Sequence, residues 1–189
     1  MTAVLSRLRE ATNGAHQRLE ARLDILVRVG ARAGRRALVG RFHGLHAGAE
    51  AVLEPLLAGL PGLDYAARRR SAMLQEDLGA LGAEPGPPFL IAAPASVPEA
   101  LGLLYVLEGS ALGGKVIRKA LAARGQDMTG LSFLDHYGPE VGARWRSFLT
   151  VLDRESTEGD EAAMAAAVRG GLAGFAHAEA WLCPAEACA

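Results

Sequence analysis

Cysteine is nearly missing from this chain. Of 189 residues only Cys183 and Cys188 carry a thiol, both in the closing stretch "WLCPAEACA". No disulfide framework and no thiolate zinc site can be built from them. Aromatics make up only 5% of the residues, and β-branched residues rarely alternate with polar ones, so the signals of strands are absent. Lysine is scarce as well: Lys115 and Lys119 are the only two, and arginine carries the rest of the positive charge. The net charge of -1 supplies no field to attract nucleic acid or an anionic membrane. No uncharged apolar run reaches the roughly 18 residues of a spanning helix. The opening "MTAVLSRLRE" brings in charge too early for a secretory signal. The expectations are no nucleic-acid partner, no membrane span, a cytoplasmic location and a monomer.

Helical periodicity is what the chain has in abundance. Leu5, Leu8, Thr12, Ala15, Leu19, Leu23 and Leu26 fall at spacings of three and four, one face of a first helix that Gly30 and Gly34 close. A second helix is expected from about Arg35 to Leu57, with Pro55 and "GLPG" ending it. Asp64 caps a third, over "YAARRRSAMLQEDLGALG". The proline-rich "AEPGPPFLIAAPAS" cannot be a regular helix. Ser96, Pro98 and Glu99 form a capping box with an early proline, starting a fourth helix that runs to Arg124 with Gly125 just past it. "MTGLSFLDHYG" reads as a loop. A fifth helix follows Pro139, and a sixth spans about Asp160 to Leu182. The fold class is all-α: one multi-helix bundle over 1–182 and a short tail, 183–189.

Two features carry chemistry. His16 lies on the inward face of the first helix, and Glu20 stands one turn further on, where its carboxylate can meet the imidazole. A carboxylate beside a histidine is the usual support of a metal-ligating histidine; a buried histidine in a salt bridge is the commoner case. The second feature is "YVLEGSALGG", where Gly109, Gly113 and Gly114 interrupt a long helix. Each glycine costs about 1 kcal/mol there relative to alanine. Close helix packing, a bend, or a flat ligand lying against bare backbone would each account for them. Together, an inward histidine and a glycine-faced helix make a natural sandwich for heme.

The stretches "LREATNGAHQRLE" and "LLYVLEGSALGGKVIRKAL" resemble the proximal and distal helix motifs of heme oxygenases, and are most similar to the bacterial biliverdin-producing branch, including members that serve bacteriophytochromes. "FLDHYGPEVGARWRSFL" and "GFAHAEAWL" extend the resemblance over most of the chain. It implies a heme oxygenase-like fold with heme b as both cofactor and substrate, cleaved with O2 to biliverdin, CO and ferrous iron. It makes His16 the iron ligand, Glu20 its hydrogen-bonding partner, and Gly109 and Gly113 the distal backbone over the heme, with Gly114 following them. Tyr105 and Arg9 match propionate-binding positions, and Arg146 falls near another basic position. Phe175 would wall the pocket, while Thr12 and Ala15 flank the ligand. An external electron donor is implied, a redox partner such as a ferredoxin or a flavin reductase. Arg118, Lys119 and Arg22 are read first as solvated surface charges and second as its docking face.

The chain departs from the pattern at Ser110, where mammalian-type members carry an aspartate that organises water. That departure keeps a second class open: a non-catalytic heme-binding, storage or sensing protein on the same fold. Di-iron ferritin-like enzymes need paired Glu-x-x-His motifs that this chain lacks. A thiaminase-like enzyme needs an internal cysteine, and here the cysteines lie at the C-terminal end. His43, His46 and Glu50 share one side of the second helix but match no demanding metal motif, so surface or interhelix histidines are expected. His136 and His177 read as structural or solvent-facing. Cys183-Pro184 is too short a match to a heme-regulatory dipeptide, and a frayed end is expected there.

Overall fold

A computed structural model describes residues 2–157 and 159–184. Among them the chain forms helices α1 (Ala3–Leu23), α2 (Ile25–Arg28), α3 (Arg32–Leu57), α4 (Ser71–Ala80), α5 (Val97–Ala123), α6 (Val141–Glu155) and α7 (Glu161–Leu182). Short 3-10 turns occupy Ala66–Arg68, Ser132–Asp135 and Gly138–Glu140, and no strand occurs among the described residues. The all-α expectation holds. The last five residues of the expected tail, with Cys188, lie outside the described residues.

Several boundaries differ from expectation for identifiable reasons. The first helix ends at Leu23 because Asp24 turns left-handed, φ 34°, before the single-turn α2. Aspartate is among the few residues that visit that region readily. Helix α3 ends at Leu57 as expected, past Pro55, but begins at Arg32, three residues before the expected start. Asp64 starts no α-helix; it sits at φ 50° and its carboxylate, held by the Ala67 N–H, leads into a 3-10 turn. The helix proper begins at Ser71, and its cap comes from another helix. Glu50 Oε1 on α3 accepts the backbone N–H of Arg70 at 2.7 Å and of Ser71 at 2.9 Å. A carboxylate at a helix N-terminus is favoured by the dipole as well as by these bonds. The Ser96 cap of α5 forms, with Glu99 N–H to Ser96 Oγ at 3.4 Å, while the Glu99 carboxylate reaches back to Ala95 N–H at 3.1 Å.

Helix α7 is the spine of the fold. It packs against α5 on one side and α1 on another, with α3 also against it. The approach to α5 is backbone on backbone. A Cβ built on Gly102 would run into Ala167 O, and one on Gly170 into Glu99 O. Close packing is therefore the role of Gly102, on α5 but upstream of the "EGSALGG" motif. By length and composition α5 alone among the described helices could cross a bilayer; in this fold Leu101, Leu104 and Leu107 place it in the core. One core cluster centres on Phe148, Leu53, Leu101 and Leu104, a second on Leu38, Leu74, Leu78 and Phe133. Cys183 is buried in the second cluster at the end of α7, so that end is packed and not frayed.

Candidate active site

A cavity of about 490 Å³ opens between α1 and α5, a size usual for small-molecule sites. On the α1 side it is walled by His16, Leu19, Glu20 and Leu23, and on the α5 side by Tyr105, Gly109, Ser110, Leu112, Gly113 and Gly114. Phe175, Ala178 and Leu182 of α7 join the two, and Phe42, Leu45 and His46 of α3 stand among the walls. Apolar side chains dominate; no lysine or arginine lines it.

The three glycines of the motif separate into two kinds. A Cβ on Gly109 or Gly113 would meet nothing within 4 Å, whereas one on Gly114 would lie 2.6 Å from Leu134 O. Gly114 thus lets the loop after α5 pack tightly on the helix. Gly109 and Gly113 leave bare backbone facing open space in the cavity. Packing does not explain these two, and room for a ligand does.

His16 presents a half-exposed imidazole on the α1 wall. Its ring meets Phe175 edge-on, with centroids 5.7 Å apart. Its outer nitrogen, Nε2, lies 3.6 Å from Glu20 Oε1, and both side chains are more than half exposed. At that distance the two groups are in contact without a hydrogen bond, and such an exposed contact contributes little on its own.

Of the sequence-derived residues, His16, Glu20, Tyr105, Gly109, Ser110, Gly113, Gly114 and Phe175 converge on the cavity. Arg9, Thr12, Ala15 and Arg146 are not among its walls. Thr12 is buried; its hydroxyl donates to Leu8 O at 2.6 Å and its methyl packs near Gly171 of α7. Arg9 is exposed on α1 and Arg146 on α6. Arg118 is paired with Asp135 at 2.5 Å and Arg22 with Glu179 at 2.7 Å, which offsets two of the three charges of the docking face considered above.

Behind Ser110 lies a polar cluster that sequence reasoning missed. Arg70 is 2% exposed. Its Nη1 donates to Ser110 Oγ at 3.0 Å and its Nη2 to Leu107 O at 3.0 Å, and its guanidinium sits 5.6 Å from the Tyr137 ring centroid. Ser110 in turn donates to Leu107 O at 2.6 Å. His43 and His46 are both buried between helices. Burial, then the positive fields of Arg70, His136 and His43, hold the His46 pKa well below the ordinary histidine value. His46 is therefore neutral at neutral pH where it meets the cavity. Burial, then Arg70, also lowers His136. His136 Nε2 lies 3.3 Å from Ala67 O, which can only accept, so Nε2 carries the proton. His43 Nδ1, His136 Nδ1 and Arg70 Nε are buried without a hydrogen-bond partner. The only sequence signal was that Phe42, His46, Ala49 and Leu53 share the inner face of α3, which sets His46 among core residues.

A flat, largely apolar macrocycle would fit this arrangement, against open backbone at Gly109 and Gly113 and near Phe175, with the His16 imidazole on the other wall to hold it. A curated heme oxygenase of Xanthomonas campestris pv. campestris (strain 8004) is 40% identical to this chain over 142 residues, covering 72% of this chain and 81% of the relative. Among solved structures, the NO- and CO-bound heme oxygenase from Neisseria meningitidis matches with a TM-score of 0.74 at 24% identity, over 95% of this chain and 89% of that one. That second likeness speaks for the fold. No family model matches the chain. By the identity and coverage shared with the Xanthomonas relative, this chain belongs to the heme oxygenase family.

Proposed function

We propose that this chain binds heme b between α1 and α5 and cleaves it, with O2 and an external reductant, to biliverdin, CO and ferrous iron. One observation carries the reading: the two glycines with open space at Cβ, Gly109 and Gly113, face the same cavity as His16. Bound heme supplies the iron that activates dioxygen and is itself the molecule oxidised.

The chain's own residues hold and shape. His16 is the iron ligand, with Glu20 as the carboxylate that biases its ring. Phe175 fixes the imidazole edge-on. Gly109 and Gly113 keep side chains away from where a diatomic molecule must fit. Tyr105 is the lining residue suited to a propionate; Arg9 and Arg146 stand off the wall, where a role in holding propionates is confined to the rim. Thr12 and Ala15 support the ligand helix. At position 110 the hydroxyl is neutral, so no anion faces the cavity there. Protons are held at Ser110 Oγ and at neutral His46, and Arg70 fixes the serine from behind. Confinement of all groups on rigid helices is what places one edge of the substrate, a positional effect.

Electrons come from a separate protein of the ferredoxin or flavin reductase class, because the chain has no nucleotide-binding motif. Lys115 and Lys119 are exposed on α5 beside Val116, itself 70% exposed. That side of α5 gives an acidic donor a place to approach.

A second reading, a non-catalytic heme-binding, storage or sensing protein, is favoured only by serine at 110. Heme and reductant in air separate the two. Loss of the Soret band with growth of a red biliverdin band and release of CO is expected. A heme–oxygen complex that persists without pigment would leave the second reading.

A further inference from the structure

The carboxylate immediately before the glycine face is buried, and two side chains from other elements bind it directly. Glu108 is 2% exposed. Its Oε2 accepts from Arg68 Nη1 at 2.6 Å, and its Oε1 accepts from the Tyr137 hydroxyl at 2.6 Å. Arg68 is itself pinned: Nε donates to Leu63 O at 2.6 Å, Nη1 also to Arg144 O at 3.2 Å, and Nη2 to Ser147 Oγ at 2.9 Å. Every nitrogen and oxygen of the charged pair has a partner, the condition under which a buried pair is rigid rather than costly. Burial, then the Glu108 charge, pushes the Tyr137 hydroxyl pKa well up, so it remains a donor. Through these bonds α5 is tied to the 3-10 turn at 66–68, to Tyr137 in the loop before α6, and to α6 itself. The next residue is Gly109, whose bare backbone has open space before it.

We propose that Glu108 is a positioning residue: with Arg68 and Tyr137 it fixes the height of the glycine face over the cavity, and so which edge of the bound macrocycle is oxidised. The inference rests on the proposed heme site. A helix turn with two glycines has no side chains to wedge it in place on the cavity side, and glycine is the residue least able to hold a helix by itself. The hold must come from behind. Glu108 supplies it with short charge-assisted bonds to groups on other elements, while Gly114 against Leu134 fixes the far end of the motif.

Tyr137→Phe is the mild test, since it keeps the ring against Arg70 and Arg144 and removes only the hydroxyl; Glu108→Gln is the stronger one. Arg7→Ala, which breaks the exposed pair with Glu161, is the control. Three readouts are taken: amide exchange over 105–114 in the heme-free chain, cyanide affinity of the ferric heme-loaded chain, and the biliverdin isomer ratio. Exchange in that segment should rise roughly tenfold in Tyr137→Phe, the worth of one hydrogen bond to a charged group, with α1 unchanged. Cyanide affinity should shift, and a single isomer should become a mixture; the control should alter none of these. Unchanged exchange would overturn the anchor. Faster exchange with unaltered cyanide affinity and isomer ratio would overturn the positioning role. If the unaltered chain makes no biliverdin, it is the proposed activity that fails, and exchange with cyanide affinity still decides the anchor.

Discussion

Arg70 Nη1 donates to Ser110 Oγ at 3.0 Å, joining a buried guanidinium to the one distal position that departs from the mammalian-type pattern. The serine also donates to Leu107 O. Its hydroxyl is thus fixed in direction, and the positive charge behind it replaces a negative one in front.

If that arrangement governs proton delivery, Arg70→Met should slow turnover more than binding. A fall of at least tenfold in kcat is expected, within the reach of acid–base effects, with heme affinity changed less than about threefold. Steady-state rates beside a heme titration check it. An unchanged kcat would remove Arg70 from the account.

The glycines of α5 should respond in opposite ways to alanine. Gly109→Ala and Gly113→Ala meet open space, so the heme-free chain should gain up to ~1 kcal/mol from helix propensity, or about 2–4 °C in Tm. Heme binding should weaken. Gly102→Ala collides with the α7 backbone at Ala167 and should lose about 1–3 kcal/mol. Thermal melts of the heme-free variants decide the sign.

His16→Ala should leave the fold nearly untouched, because the side chain is 53% exposed. Its Tm should move by less than about 3 °C, as for most surface changes. Productive turnover should be lost, and added imidazole should restore part of it. Full activity without imidazole would mean another ligand.

Stability should fall on the acid side. Burial lowers the folded-state pKa of His43, His46 and His136 below the ordinary value near 6.5. Above that value they are neutral in both states and contribute nothing to the pH dependence. Below it the unfolded chain takes up protons that the folded one refuses, so stability declines as pH drops from about 6.5 toward the lowered values. Urea midpoints at pH 7.5 and 5.5 measure the slope, and His46→Leu should flatten it. An equal slope in that variant would contradict the neutral, buried His46.

The helices were legible in the sequence from local pattern, and part of the cavity wall from that pattern together with the family resemblance. His16, Glu20, Gly109 and Gly113 lie on helix faces that spacing alone defines. What could not be read is long-range. Arg68 and Arg70 sit in "RRR", which looks like a solvated charge run, yet both guanidinium groups are buried against α5. Their partners on α5 lie 37 to 40 residues away. The start of α4 was misplaced for the same reason, since its cap is Glu50 on another helix. Thr12 and Arg146 were assigned to the ligand by analogy of position, but one packs on α7 and the other faces outward from α6.

The most direct test of the central claim is a crystal structure of the ferric heme complex. The account predicts iron bonded to a ring nitrogen of His16, with the macrocycle lying against the backbone of Gly109 and Gly113. Iron bonded to His46, His136 or Cys183, or a macrocycle outside the α1–α5 cavity, would contradict it.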